Sequence, residues 1–258
     1  MELYCKKQDK LTVKIYSDRK DLGENAGKRV AEIINSIIKE KGEATVVFAA
    51  APSQNEMLAQ LCRENVDWTK VRAMHQDEYL ELDPLHPAGF GNFMRRAIFE
   101  QKPFKEIYYL MGISDDPEVT KATYSKLLEK FPPDLILLGI GENGHLAFND
   151  PAVADFNDPE RVKVVNLDDV CRMQQVNDGC FATFDDVPKR AFTLTMSQVI
   201  KIPNKLACVP GKLKAEAINN LLYGNISTSC PASILRECEN AELYLDADSA
   251  SIAISKYK

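Results

Sequence analysis

The stretch Asp134-Leu-Ile-Leu-Leu-Gly-Ile-Gly-Glu-Asn-Gly-His-Leu-Ala-Phe-Asn-Asp-Pro151 decides how the chain is read. Its opening run, Leu135–Ile140, is apolar without alternation, the pattern of a strand covered on both faces in a parallel sheet. The run passes into Gly139, Gly141 and Gly144 and then presents Asn143, His145 and Asp150. Ligands of open parallel sheets bind beyond the carboxyl ends of the strands, which makes these residues the first functional candidates. Glycines let backbone N–H groups approach an anion closely. No regular G-x-G-x-x-G opens a helix here, so a dinucleotide fold is disfavoured.

Outward from this run the same alternation continues. Further strands are expected at Thr12–Tyr16, Ala44–Ala50, Val71–Tyr79, Ile107–Leu110, Phe192–Thr195, Leu206–Val209 and Leu243–Leu245. Helical spacing marks Asp18–Lys41, Ser53–Arg63, Phe90–Glu100, Asp116–Lys130, Lys212–Tyr223 and Ala232–Glu239. Strand and helix in turn predict an α/β fold, a three-layer αβα sandwich with a mainly parallel, Rossmann-like sheet. A single domain spanning 1–258 is expected, since the candidate site draws on residues from across the chain. The stretch 149–186, rich in Asp, Asn and Pro, is expected as a long excursion, of a kind that often forms a lid.

The 258 residues carry a net charge of −6 and 45% hydrophobic residues, an ordinary globular composition. Without a basic block, neither nucleic acid nor an anionic membrane is an expected partner. A small anionic substrate needs only a few focused cations. The seven cysteines form no C-x-x-C pair and read as reduced, mostly buried thiols. MELYCKKQDK lacks the apolar region of a signal peptide, and no apolar run nears the ~20 residues of a membrane span, so a soluble, cytoplasmic protein is expected.

His145 follows a buried strand, with Asp150 five residues on to orient its ring, the arrangement of a general acid or base. His75, His86 and His145 have no metal-ligand spacing, so no catalytic metal is expected. In Arg72-Ala-Met-His-Gln-Asp-Glu-Tyr79, Asp77 either ends a strand in solvent or delivers a base able to remove a proton α to a carbonyl. Arg172, Lys212 and Lys214 are candidates for an anionic group, with solvated side chains as the competing reading for the lysines. The run Val209-Pro-Gly-Lys-Leu-Lys214 leaves a strand and opens a helix, where amides and an ammonium can hold phosphate together.

Over roughly Val13–Asp246 the sequence resembles the glucosamine-6-phosphate deaminase/isomerase family, part of a superfamily shared with 6-phosphogluconolactonase and ribose-5-phosphate isomerase. Gly139-Ile-Gly-Glu-Asn-Gly-His-Leu-Ala-Phe-Asn-Asp-Pro151 is similar to the family's G-x-G-x-D-G-H-I-A-F-N-E-P. Asp77-Glu-Tyr, His86-Pro and Phe93-Met-x-Arg96 are similar to its D-E-Y…H-P…F-M-x-R. The resemblance implies a cofactor-free conversion of an amino-sugar 6-phosphate, glucosamine or galactosamine 6-phosphate, to a ketose phosphate and ammonia. It implies Asp77 as the base at C2, His145 as the ring-opening residue and Asp150 as its orienting carboxylate. Arg172 and Lys214 fall on its phosphate-binding cations.

Three positions depart from the family pattern. Asn143 stands where the family has Asp, and Asp150 where it has Glu. The family's T-G-G-T-P phosphate loop is here Ala50-Ala-Pro-Ser-Gln54, in which Pro52 has no N–H to donate but Ser53 keeps a hydroxyl. Ser53, Gly141 and Gly144 are therefore expected beside the substrate. A homo-oligomer is compatible with the resemblance, but the allosteric hexamer of some relatives does not follow from it. The alternatives are a lactone hydrolase of the 6-phosphogluconolactonase type and a sugar-phosphate sensor that kept the fold without the chemistry. Asp77-Glu-Tyr differs from the lactonase's D-E-R, and Ala147-Phe-Asn-Asp-Pro from its T-A-S. The −6 charge, and a first strand candidate as early as Thr12, weigh against a DNA-binding segment.

Overall fold

A computed structural model describes residues 1–256; Tyr257 and Lys258, the end of the expected 1–258 span, lie outside the described residues. Among the described residues, eleven strands form in chain order: β1 (Glu2–Gln8), β2 (Leu11–Tyr16), β3 (Ala44–Phe48), β4 (Val71–His75), β5 (Asp77–Tyr79), β6 (Glu106–Tyr108), β7 (Leu135–Leu138), β8 (Val162–Asn166), β9 (Arg190–Leu194), β10 (Asn204–Val209) and β11 (Ala241–Asp246). The α-helices are α1 (Arg19–Lys41), α2 (Asn55–Leu61), α3 (Phe90–Met94), α4 (Pro117–Lys130), α5 (Asp169–Asn177), α6 (Met196–Lys201) and α7 (Ala215–Tyr223).

Eight strands make the central sheet, in the order β1-β2-β11-β10-β7-β3-β4-β6, parallel throughout except for the β1–β2 hairpin at one edge. Alternate residues sort to opposite faces. Val13, Ile15, Ile136, Leu138, Leu243 and Leu245 pack with α4, α6 and α7. Val46, Phe48, Leu135, Leu137, Leu206 and Tyr244 pack with α1, α2 and α3. This is the expected three-layer α/β architecture. The chain runs outward from β3 to β4 and β6, then returns to the other side of β3 with β7. The strand order therefore reverses between β3 and β7, the kind of crevice where such sheets bind ligands.

The structure corrects several expected elements. Val71–Tyr79 is not one strand: the chain leaves the central sheet at Gln76, and β5 joins a second, antiparallel sheet of order β5-β9-β8. The strand expected at Phe192–Thr195 belongs to that second sheet, as β9. Pro231–Glu237 winds as 3-10 turns in place of the helix expected over Ala232–Glu239. Pro231 at its start supplies no N–H. The stretch 149–186 carries β8 and α5. Two elements escape the periodicity: β1, whose burial is weak because it is an edge strand, and the short α6.

Where β4 ends, its backbone groups lose their ladder partners, and side chains replace them. The Tyr124 hydroxyl donates to the His75 carbonyl (2.8 Å) and accepts from the His75 N–H (3.0 Å). The fully buried His75 ring accepts from Leu110 N–H at Nε2 (2.9 Å), so its proton sits on Nδ1 and is donated to the Asp77 carbonyl (2.9 Å). Burial lowers the pKa of His75 from 6.5 to about 4. A depressed histidine binds its proton more readily in the unfolded chain. The stability it confers is complete above about pH 6.5 and is lost as pH falls toward 4, a difference of roughly 3 kcal/mol. His75→Gln, neutral at every pH, is expected to flatten the stability profile between those limits, measured by urea unfolding across the range. An unchanged slope would refute the assignment.

Candidate active site

Three strand ends meet at the crevice. Ala49, Ala50, Ala51 and Ser53 follow β3, Gln76 and Asp77 follow β4, and Gly139–Gly141 follow β7; with His145, Phe148 and Lys214 they line one cavity. The α5 side chains Gln174 and Gln175, with Asp178 just beyond, cover it. The room left is about 60 Å³, far below the ~300 Å³ at the small end of ligand pockets. A larger cavity, about 480 Å³ and lined by Glu81, Asp83, Asp115 and Arg190 among others, contains none of the expected site residues.

Gln76 hands the chain from one sheet to the other, donating its N–H to Phe48 (3.2 Å) and accepting from Leu194 N–H (2.8 Å). Asp77 follows directly, buried, with Oδ1 lacking any hydrogen-bond partner. Burial, reinforced by the neighbouring Glu78 charge, pushes the Asp77 carboxyl well above its ordinary value of 3.8. Glu78 faces another way. Its carboxylate accepts from the N–H groups of Tyr79 (3.0 Å), Phe90 (2.9 Å) and Gly91 (2.7 Å), which fastens β5 to the first turn of α3. Of the paired acids, Asp77 is thus the one left free for chemistry.

The turn after β7 is built around His145. Its Nδ1 lies 2.8 Å from both Asn143 Oδ1 and Asp150 Oδ1, and the Asn143 amide donates to the same Asp150 oxygen (2.9 Å). With two acceptors on Nδ1, the proton belongs there, and Nε2 is left as an acceptor. Burial alone would raise the Asp150 carboxyl, but the His145, Asn143 and Cys171 contacts together hold it below 3.8. Gly141 lies against the imidazole: a Cβ there would come within 2.1 Å of the ring. Gly144 has φ +83°, and its Cβ would meet Cys230 Sγ at 2.6 Å. Both positions accept only glycine without rearrangement.

One anchor ties the histidine turn to Asp77. Thr193 on β9 sits opposite Asp77 in register. Its hydroxyl accepts from Phe148 N–H (3.1 Å) and from Asn149 Nδ2 (3.3 Å), while the Asn149 amide also bonds the Leu194 carbonyl (2.8 Å). The fold thereby brings Asp77 to the same cavity as the turn that carries Asn143, His145 and Asp150, far along the sequence from it.

The expected anion-binding residues divide. Lys214, just past β10, is 7% exposed, and its Nζ has no hydrogen-bond partner. Burial lowers its pKa below 10.5 against the pull of Asp178 and Glu142. Ser53 also lines the cavity, its Oγ accepting from Gln54 Nε2 (2.9 Å). Arg172 does not line it. Its guanidinium bonds the carbonyls of Phe184 (2.8 Å) and Val187 (3.0 Å) and stacks 3.9 Å above the Phe184 ring. Lys212 is exposed.

Sequence reasoning passed over Gln76, Gln174 and Gln175, neutral polar side chains that line the cavity, and Gln54, which adjoins its Ser53 wall. Gln54 Nε2 donates to the Cys208 carbonyl (3.0 Å), which joins the end of β10 to the loop after β3. Gln175 Oε1 accepts from the Tyr79 hydroxyl (2.9 Å), and Gln174 Oε1 from Glu142 N–H (3.0 Å). Uncharged amides leave no mark in charge or periodicity; the adjacent pair Gln174-Gln175, two residues past Arg172, was the available signal.

Residues 17–245 match the sequence profile of the glucosamine-6-phosphate isomerases/6-phosphogluconolactonase family. A glucosamine-6-phosphate deaminase of Bacillus cereus (strain B4264) is 32% identical over 221 residues, 86% of this chain and 82% of the relative; one from Bacillus cytotoxicus is equally similar. Among solved structures, a monomeric glucosamine-6-phosphate deaminase of the NagB superfamily superposes with a TM-score of 0.83 at 30% identity, covering 93% of this chain and 99% of that one. The 6-phosphogluconolactonase of Trypanosoma brucei superposes at 0.76 with 17% identity over 96% and 99%, a likeness of fold alone. The matched span, the deaminase relatives and the shared architecture lead to one conclusion: the chain belongs to the glucosamine-6-phosphate isomerase/6-phosphogluconolactonase family.

Proposed function

We propose that this protein is a hexosamine-6-phosphate deaminase/isomerase, converting glucosamine 6-phosphate or galactosamine 6-phosphate to a hexulose 6-phosphate and ammonia. The observation that carries the reading is the buried carboxyl of Asp77, its Oδ1 without a partner, in the same cavity as the imidazole of His145. A carboxyl whose pKa burial has raised is a stronger base once ionised, as proton abstraction α to a carbonyl requires. In this reading His145 Nε2 relays the proton of ring opening, with Asn143 and Asp150 orienting the ring. Asp77 then moves the C2 proton to C1, which leaves an imine at C2, and water adds to that imine so that its oxygen becomes the ketone and the amine leaves as ammonia. The deaminase relatives support the assignment at the level of the family.

The phosphate would lie against Lys214 and the Ser53 hydroxyl, giving the orphaned ammonium a counter-charge. Gly141 and Gly144 keep the turn close enough for the sugar to reach His145. Because the cavity is small, substrate entry would displace Gln174, Gln175 and Asp178, so α5 within the 149–186 stretch would act as the moving cover of a single-domain enzyme. Arg172 would join the phosphate only by leaving the carbonyls of Phe184 and Val187.

An ammonia-release panel over hexosamine 6-phosphates, with a 6-phosphogluconolactone-opening arm, tests the assignment. Ammonia from at least one hexosamine phosphate is expected, and Asp77→Asn should lower kcat by about 10²–10⁴-fold. Because protonated Asp77 cannot act as a base, the acid limb of kcat/KM should fall at a pH well above 3.8. Lactone opening with no ammonia from any hexosamine phosphate would overturn the reading. Gly141→Ala should lower kcat on the order of 10²-fold by displacing the imidazole while the protein stays folded, checked by kinetics alongside circular dichroism.

A further inference from the structure

His145, Asp150 and Cys171 converge behind the cavity. One potential ligand atom from each lies within 4.8 Å of the others, and all three residues are more than nine-tenths buried. Asp150 uses Oδ1 for His145 and Asn143, while its Oδ2 is buried with no hydrogen-bond partner. Cys171, in the first turn of α5, brings the thiol beside that carboxylate.

We propose that His145, Asp150 and Cys171 form an inhibitory site for a zinc-class divalent cation, whose binding withdraws His145 from proton transfer. The inhibitory part of this inference rests on the role proposed for His145; the metal site itself does not. One nitrogen, one carboxylate oxygen and one sulfur are the donor set of tetrahedral zinc. Metal–ligand bonds of about 2.0–2.3 Å place tetrahedral donors roughly 3.3–3.8 Å apart. The donors here bracket that range, from 2.8 Å between Nδ1 and Oδ1 to the 4.8 Å limit of the cluster. Asn143 Oδ1, 2.8 Å from Nδ1, or a water supplies the fourth corner. A carboxylate and a thiolate together cancel the charge of a divalent ion, so the occupied site carries no net buried charge. Magnesium and calcium, which favour six or more oxygens, do not suit it.

The protons balance. The thiol gives up its proton to solvent as the sulfur–metal bond forms. The Nδ1 proton must also leave for nitrogen to bind the ion, and the ring takes one back at Nε2. Binding therefore releases one proton overall and turns Nε2 from an acceptor into a donor, so the ring cannot accept a proton from the sugar.

Titrating the metal-free protein with cobalt(II) tests the site without substrate. A thiolate-to-cobalt charge-transfer band saturating at one ion per chain, and lost in Cys171→Ser, is expected. No such band, or one unchanged in Cys171→Ser, would overturn the proposal. In the ammonia assay zinc should inhibit, a chelator should restore activity, magnesium at the same concentration should have no effect, and Cys171→Ser should need at least tenfold more zinc. Zinc inhibition that is equal in the variant would refute the inhibitory role. Should the variant not fold, anomalous scattering from a zinc-soaked crystal decides: a peak among the three side chains supports the site, and its absence there overturns it. The cobalt and scattering results stand even if no hexosamine phosphate is turned over, which separates failure of this site from failure of the proposed activity.

Discussion

The site depends on one constraint: a strand that leaves a sheet must find new partners for its backbone. At His75 the chain quits the central sheet, and at Asp77 it enters another. Tyr124 takes both backbone groups of His75, the His75 ring takes the Asp77 carbonyl, and Gln76 bonds one sheet through its N–H and the other through its carbonyl. A buried amide or carbonyl left unpaired costs about 1–3 kcal/mol. The bend is therefore over-determined, and it turns Asp77 into the crevice beside β3 and β7.

The crevice itself is left unsatisfied. Asp77 Oδ1, Lys214 Nζ and Gln76 Oε1 are buried without partners, as are Asp150 Oδ2 and Asn149 Oδ1 on the turn that carries His145. Such groups weaken the folded state on their own, and a ligand that pairs with them recovers the loss as binding energy. The contrast between Glu78 and Asp77 shows how this is arranged in adjacent residues. Three backbone N–H groups saturate Glu78, which serves the scaffold, and leave Asp77 its free oxygen.

Much of this was legible in the sequence because it is local. The apolar run at Leu135, the glycines after it and the spacing of His145 and Asp150 predict a strand, a turn and an oriented imidazole, and the structure has all three. The break at Gln76 was not legible: Val71–Tyr79 is buried on both sides of the bend, so its composition reads as one strand although its two parts pair with different sheets. Pro231–Glu237 misleads in a similar way, since buried apolar residues at near-helical spacing also suit a tight 3-10 winding. Arg172 illustrates a third limit. A motif marks a guanidinium as a phosphate ligand, but whether it faces the cavity or the Phe184 and Val187 carbonyls is set by a turn further along the chain.

The two departures from the family pattern beside His145 are best understood as a pair. An aspartate at position 143 would put a second carboxylate within about 3 Å of Asp150, and the two like charges could not both persist in a buried turn. Asparagine removes that conflict and adds a donor. Its amide oxygen receives Nδ1–H (2.8 Å) and the His145 backbone N–H (3.1 Å), while its amide nitrogen reaches Asp150 (2.9 Å). Asp150, one methylene shorter than the family's glutamate, is thereby held against the ring by a neighbour that bonds both. The pair supplies one negative charge behind the imidazole together with two directed hydrogen bonds. In the proposed ring opening, the tautomer is then fixed by geometry, and a single carboxylate balances the proton that the ring carries between substrate atoms.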